Sequence, residues 1–341
     1  SYFGSKPVKF TLKANQVTEG KRDVTDYLKD NPIANPNQYY ELSEIVSFVA
    51  NETDPRAKAS TSDGQQVNYL PSLKYKLSID KSTWEKNKWI SPGDTSVQPF
   101  IYWDLPRTRI YKNNLLLLDI LANNINERPI CFTTTTSDDT YIGLQNWFEF
   151  NGLVYRLIPT NTPLATQGGD DYGKINTDQL FDLFINKYSW GNMDKEKMWV
   201  DEKSRLVPFN IRSGFYRLAI ALLNENKLDK AVIICDKIQE FMPDHNLRFS
   251  YNMTPLVEVY YRANQPEKAE KLANILVDEA IARMVHYRQV AKSAGKPSKW
   301  SEREMGMAGF IFQNIMQFAT QAKRDAYLNS LQSRLSQAGL M

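Results

Sequence analysis

Two stretches in the second half of the chain match turn for turn: "LLNENKLDKAVIICDKIQEFMP" from Leu222 and "YYRANQPEKAEKLANILVDEA" from Tyr260. Each runs from an apolar helical segment through a polar, asparagine-bearing turn into Lys-Ala at the opening of a second helix. Ala231 and Ala269 are the equivalent small residues, 38 positions apart, close to the period of helical-hairpin repeats. A small side chain there lets two antiparallel helices approach closely. Pro243 falls where the first unit has to end, because a proline restricts the residue before it to extended backbone. A single hairpin cannot bury its own apolar face, so such units have to stack. "SEREMGMAGFIFQNIMQFATQ" and "KRDAYLNSLQSRLSQAGL" supply one more helix pair as a cap.

Residues 176–341 are therefore expected to form an all-α region of tetratricopeptide-like hairpins, although other residues occupy the Trp and Gly positions of that repeat. Asn176 or Thr177 caps its first helix, and "MDKEKMWVDEKSRLVPFN" reads as a connecting segment. Stacked hairpins present a concave face that binds peptides or packs on a neighbour. Arg212, Tyr216, Asn252, Tyr260 and Tyr261 are the candidate groove residues. The competing reading, and the preferred one for the tyrosines, is that they pack between helices.

Residues 1–160 carry a different rhythm and are expected to form a small α/β domain. "YYELSEIVSFVAN" places Leu42, Ile45, Val46 and Val49 on one helical face, and "YKNNLLLLDILANN" has a broad apolar face from Leu115 to Leu121. Strand-like runs occupy "NYLPSLKYKLSI", "PFIYWDL", "ERPICFTTTT" and "GLVYRLIP". A helix capped near Ser137 between the last two gives a βαβ-like rhythm. "PTNTPLATQGGDDYGKINTD" marks the boundary, with residues 161–175 as a flexible linker, so the class is α+β or α/β followed by helical hairpins.

Composition removes several functions. The formal net charge of +3 comes from 42 basic and 39 acidic residues with no block of like charge, so no nucleic-acid footprint is indicated. His245 and His286 are the two histidines, and neither has a metal-ligand spacing. That removes most zinc and Ser-His-Asp chemistry; no catalytic residue, metal or cofactor is assigned. Cys131 and Cys235 sit in apolar surroundings and read as free buried thiols. Aromatic residues make 12% of the chain, which suits a core as well as a sugar- or peptide-binding face. No apolar run approaches the roughly 18 residues that cross a bilayer. The missing initiator methionine is what an excised or processed form would show.

"LLLLDILANNINERPICFTTTT", followed by "YIGLQNWFEFNGLVYRLIP", resembles the C-terminal soluble region of a Bacteroidetes-type multi-pass membrane protein family related to protein O-mannosyltransferases, long catalogued as a domain of unknown function. Leu118 to Ile120, Ala122 to Asn124, Arg128 to Ile130 and Gly152 to Pro159 carry the likeness, with a similar segment at 210–223. The resemblance implies sugar transfer onto protein by the membrane part of a parent chain. It also implies a tail on the extracytoplasmic, periplasmic side of an inner membrane. The family's catalytic acids lie between transmembrane helices, so none maps onto this chain.

Two functions remain open. The first is a non-catalytic accessory domain of a glycosyltransferase-like membrane protein. It would bind a protein or peptide, or a glycan acceptor, beside the transmembrane portion of the same parent chain. The second is a free-standing carbohydrate- or nucleotide-acting enzyme with a site at the strand ends. There Thr135, Thr136, Asp138 and Asp139 would be the ligand-binding residues, the two carboxylates paired for acid–base work or a divalent ion. No Gly-rich phosphate loop adjoins them, and serine and aspartate ahead of a helix are most often caps, so the preferred reading is a core strand ending in a capped turn.

Overall fold

Inward and outward side chains alternate over residues 74–78 and 100–104, and the pairing of these two runs is the longest ladder of the first half. The computed structural model describes residues 7–62, 64–162, 172–201 and 203–340. Contacts divide the chain into Ser1–Lys174 and Ile175–Met341. Strands are confined to the first unit and the second is helical throughout its regular elements, an α+β chain with a helical region.

The first unit contains β1 (Val24–Asp26), β2 (Tyr40–Glu41), α1 (Leu42–Ala50), β3 (Lys58–Ser60), β4 (Gln66–Asn68), β5 (Lys74–Ser78) and α2 (Lys81–Lys86). It continues with β6 (Phe100–Asp104), β7 (Arg109–Tyr111), α3 (Lys112–Asn124), β8 (Cys131–Thr133), β9 (Phe148–Phe150) and β10 (Val154–Leu157). β5 is central in one sheet, parallel to β2 and antiparallel to β6, with Tyr75 opposite both Tyr40 and Trp103. β10 is central in another, antiparallel to β8 and β9, with Tyr155 opposite Phe132 and Phe150. β1 pairs with β7, and β3 with β4.

Two- and three-stranded sheets need an apolar cover to be stable. Leu42, Ile45, Val46 and Val49 of α1 and Leu115, Leu118 and Leu121 of α3 are all buried. α3 has a second role, since its polar residues hold a strap of chain at Lys9–Leu12. The Asp119 carboxylate accepts hydrogen bonds from the Thr11 and Leu12 amides, both at 2.9 Å. Asn124 accepts from the Lys9 amide and donates to the Lys9 carbonyl. Arg128 donates to the Pro7 carbonyl.

β8 and β10 are antiparallel, so the expected βαβ-like rhythm is replaced by a meander-like sheet. Single turns of 3-10 helix at Asp138–Tyr141 and Gln145–Trp147 stand where a helix was expected. The cause is local. Ile142 and Gly143 both take positive φ, +48° and +91°, which ends any helix after one turn. At Gly143 a Cβ would sit 2.6 Å from the Asp104 carbonyl oxygen, so the chain passes where only glycine fits. Cys131 lies on the outward face of β8, between the inward Ile130 and Phe132, rather than in the core; Cys235 is buried. Residues 163–171 of the expected linker lie outside the described residues, while the Lys174 backbone bonds to Phe148 and Phe150.

The second unit contains α4 (Thr177–Asp182), which runs into a π-helical turn at Leu183–Lys187, then α5 (Leu206–Asn224), α6 (Leu228–Phe241), α7 (Thr254–Arg262), α8 (Pro266–Ser293), α9 (Lys299–Gln321) and α10 (Asp325–Gln337). Asn176 caps α4 by accepting from the Gln179 amide. Three helix pairs, α5/α6, α7/α8 and α9/α10, share one turn. Asn226, Asn264 and Lys323 are left-handed at φ 59°, 57° and 55°. The following amide donates back to a carbonyl of the preceding helix at Leu222, Tyr260 and Ala319, 2.8–2.9 Å away. With the bonds from the left-handed residues' own amides to Leu223, Tyr261 and Thr320, this is the Schellman termination of a helix. Ala231 and Ala269 are fully buried at the start of the second helices. Among the described residues no helix is long and apolar enough to cross a membrane.

Candidate functional site

The threonines that follow β8 bond among themselves: Thr133 and Thr136 hydroxyls lie 2.6 Å apart, and Thr135 donates to Thr133 at 3.4 Å. Asp138 and Asp139 are exposed and turned to different partners. Asp138 accepts from the Tyr172 phenol at 2.9 Å. Asp139 accepts from the Ser137 hydroxyl and has Arg107 at 3.8 Å. The adjacent inward faces are filled by Phe132, Tyr141, Phe148 and Tyr155, whose rings touch edge to face or stacked. Among the described residues no three His, Cys, Asp or Glu side chains gather as a metal site.

The five groove candidates separate. Tyr260 is buried; its phenol donates to Asp236 at 2.7 Å and accepts from Gln239, and burial first, then the neighbouring charges, push its pKa far up. Asn252 is buried and donates to the Phe209 carbonyl at 3.3 Å, leaving its Oδ1 without a partner among the described residues. Tyr216 is half-buried on α5. Tyr261 lines a small cleft of about 170 Å³ with Arg262 and Phe318, and burial raises its pKa to about 12. Arg212 lines a larger opening.

That opening is a cavity of about 620 Å³ within the helical unit. Arg212 forms part of its wall from α5 and is only 1% exposed. Its guanidinium donates to the carbonyls of Arg248 (2.9 Å), Met242 (2.7 Å) and Leu247, and lies 4.9 Å from the Phe249 ring. Its Nε has no acceptor among the described residues. Burial pushes its pKa down to about 10, with Asp244 opposing, so it stays cationic at neutral pH. Asn246 also lines the cavity. Its amide donates to the Met193 and Glu196 carbonyls, and its Oδ1 accepts from the Met198 amide, pinning the segment 193–198. That segment carries Lys197, Met198 and Trp199 to the rim, where Trp199 is 85% exposed. Arg205, Phe209, His245, Arg248 and Arg283 complete the ring of larger side chains. Beside it runs a row of rings, Phe209 to Tyr251 (5.5 Å) and Tyr251 to Phe310 (6.4 Å).

Sequence reasoning named Arg212 and missed the rest. The cavity's cations come from four separated stretches with no motif between them. One signal was present: a tryptophan embedded in the charged run from Lys195 to Arg205 has no amphipathic helix to bury it.

The family model described as TMEM260-associated domain 2 matches residues 1–179. No curated protein and no solved structure matches the chain.

Proposed function

The chain belongs to the TMEM260-associated domain 2 family, an accessory domain of a membrane protein, and on that premise we propose that it is a non-catalytic, extracytoplasmic partner-binding region of a glycosyltransferase-like parent. Its helical unit holds a protein or peptide partner, or the parent's acceptor, at the basic cavity. The observation that carries this reading is the cavity's rim, where Trp199 stands almost fully exposed beside basic side chains and an aromatic row. Exposed aromatics and arginines around a concavity are the composition of a recognition surface. In support of a non-catalytic role, each carboxylate of the strand-end candidates is engaged by a neighbouring hydroxyl or guanidinium.

The test is a binding screen of the purified chain against peptide and glycan arrays, with Trp199→Ala alongside. Specific binding that Trp199→Ala abolishes is the expected result. Sugar transfer by the chain alone, or binding indifferent to Trp199, sinks the reading.

A further inference from the structure

Lys197, Arg205, Arg212, Arg248 and Arg283 line the helical unit's cavity, and among the described residues no carboxylate does. Some of this charge is already answered. Arg248 is paired with Asp244 at 2.6 Å, and Arg283 with Glu279 at 3.0 Å and with Glu304. Lys197, Arg205 and Arg212 have no carboxylate within ion-pair distance among the described residues; Arg205 donates only to the Val200 carbonyl, and Arg212 only to carbonyls. The Asp244 charge reaches the buried Arg212 guanidinium without forming an ion pair with it, and a buried cation so weakly compensated is costly. An anion entering the cavity offsets that cost and offers an acceptor to the orphaned Arg212 Nε.

We propose that this cavity seats an acidic peptide segment of the partner, its carboxylates among Lys197, Arg205 and Arg212 and an apolar neighbour lying on Trp199. The inference rests on the partner-binding reading above and names the chemistry of what is bound. Two features favour a carboxylate-bearing chain over a single phosphate. The cations come from four stretches, the 197–205 segment, α5, the 245–248 turn and α8, so they answer charges spread along a ligand. A cavity of about 620 Å³ has room for several side chains.

The experiment measures fluorescence anisotropy of a labelled peptide of alternating aspartate, glutamate and leucine. It is set against the same peptide carrying asparagine and glutamine, with inorganic pyrophosphate and phosphatidylserine vesicles as separate probes. Lys197→Glu with Arg205→Glu is the main variant, both side chains being exposed and outside the core; Trp199→Ala is the second. Saturable binding of the acidic peptide is expected, weakened by salt, by about tenfold or more on charge reversal and by a smaller factor in Trp199→Ala. Equal binding of the amide peptide, indifference to charge reversal, or binding of pyrophosphate or vesicles without the acidic peptide overturns the proposal. An array hit that survives charge reversal removes the acidic seat alone and leaves the partner-binding reading standing.

Discussion

In the first unit, side chains of one helix hold backbone more than a hundred residues away: Asp119 with Thr11 and Leu12, Asn124 with Lys9. In the second, each of the three turns is closed by bonds between residues a few positions apart. The first arrangement couples distant stretches, so a single side chain can carry the order of a whole strap. The second distributes order over repeated, separately formed elements, and damage to one turn stays local. The difference follows from secondary structure. Sheets of two or three short strands expose backbone that some other group has to satisfy, whereas helices satisfy most of their own.

If that contrast is right, Asp119→Ala has the largest effect of any single change considered. The carboxylate is fully buried and accepts from two strap amides and the Asn123 side chain. Its loss leaves buried donors unpaired, a cost of about 3 kcal/mol. Guanidinium unfolding measures the loss, and hydrogen exchange at Lys9–Leu12 shows whether the strap is released. A loss below about 1 kcal/mol with the strap still protected breaks the comparison.

Gly143→Ala comes next. Positive φ and a carbonyl 2.6 Å from the new methyl position, on β6, make the site intolerant. The backbone has to shift, at about 2 kcal/mol, read as a lowered midpoint of thermal unfolding. In the helical unit the corresponding edit runs the other way. Lys323 holds a left-handed conformation with nothing to recommend it, so Lys323→Gly stabilises by about 1 kcal/mol. Asn264→Gly gains less, because asparagine already tolerates that region. Equal gains at the two sites would mean that the turns are not equivalent.

The same contrast explains what could be read from the chain before its structure was known. The helical pairs at Ala231 and Ala269 were legible because their signals are local: asparagine at the turn, a small residue five positions on. The third pair was read as a cap without that turn signal, since lysine replaces asparagine at 323 and Leu328 replaces the alanine, yet the backbone is the same. α1, α3, β5, β6, β8 and β10 announced themselves by periodicity. The strap did not, because nothing in "KFTLKANQ" reveals that its amides meet Asp119. Asn123 and Asn124 close α3, and their side-chain bonds to the strap stayed hidden. The cavity was least legible, being assembled from four stretches by tertiary packing.

Glu52 gives the smallest effect and a pH-dependent one. It joins three stretches of the first unit, accepting from Lys58 at 2.6 Å, Gln16 at 3.0 Å and Arg22. The Lys58 hydrogen bond foremost, aided by Gln16 and Arg22 against the cost of burial, lowers its pKa from 4.5 to about 2. A carboxylate whose folded pKa is depressed contributes stability that is complete above its unfolded value. That contribution fades as pH falls from about 4.5 and is gone below about 2. The side chain is half exposed, so solvent screening holds the contribution to about 1 kcal/mol or less. Glu52→Gln keeps an acceptor for the same donors but cannot titrate. Its urea midpoint, followed from pH 5 to pH 2, is expected to fall less steeply than that of the unaltered chain. Parallel curves would show that the long-range polar ties of this unit hold without charge, and the contrast with the helical turns would then rest on Asp119 alone.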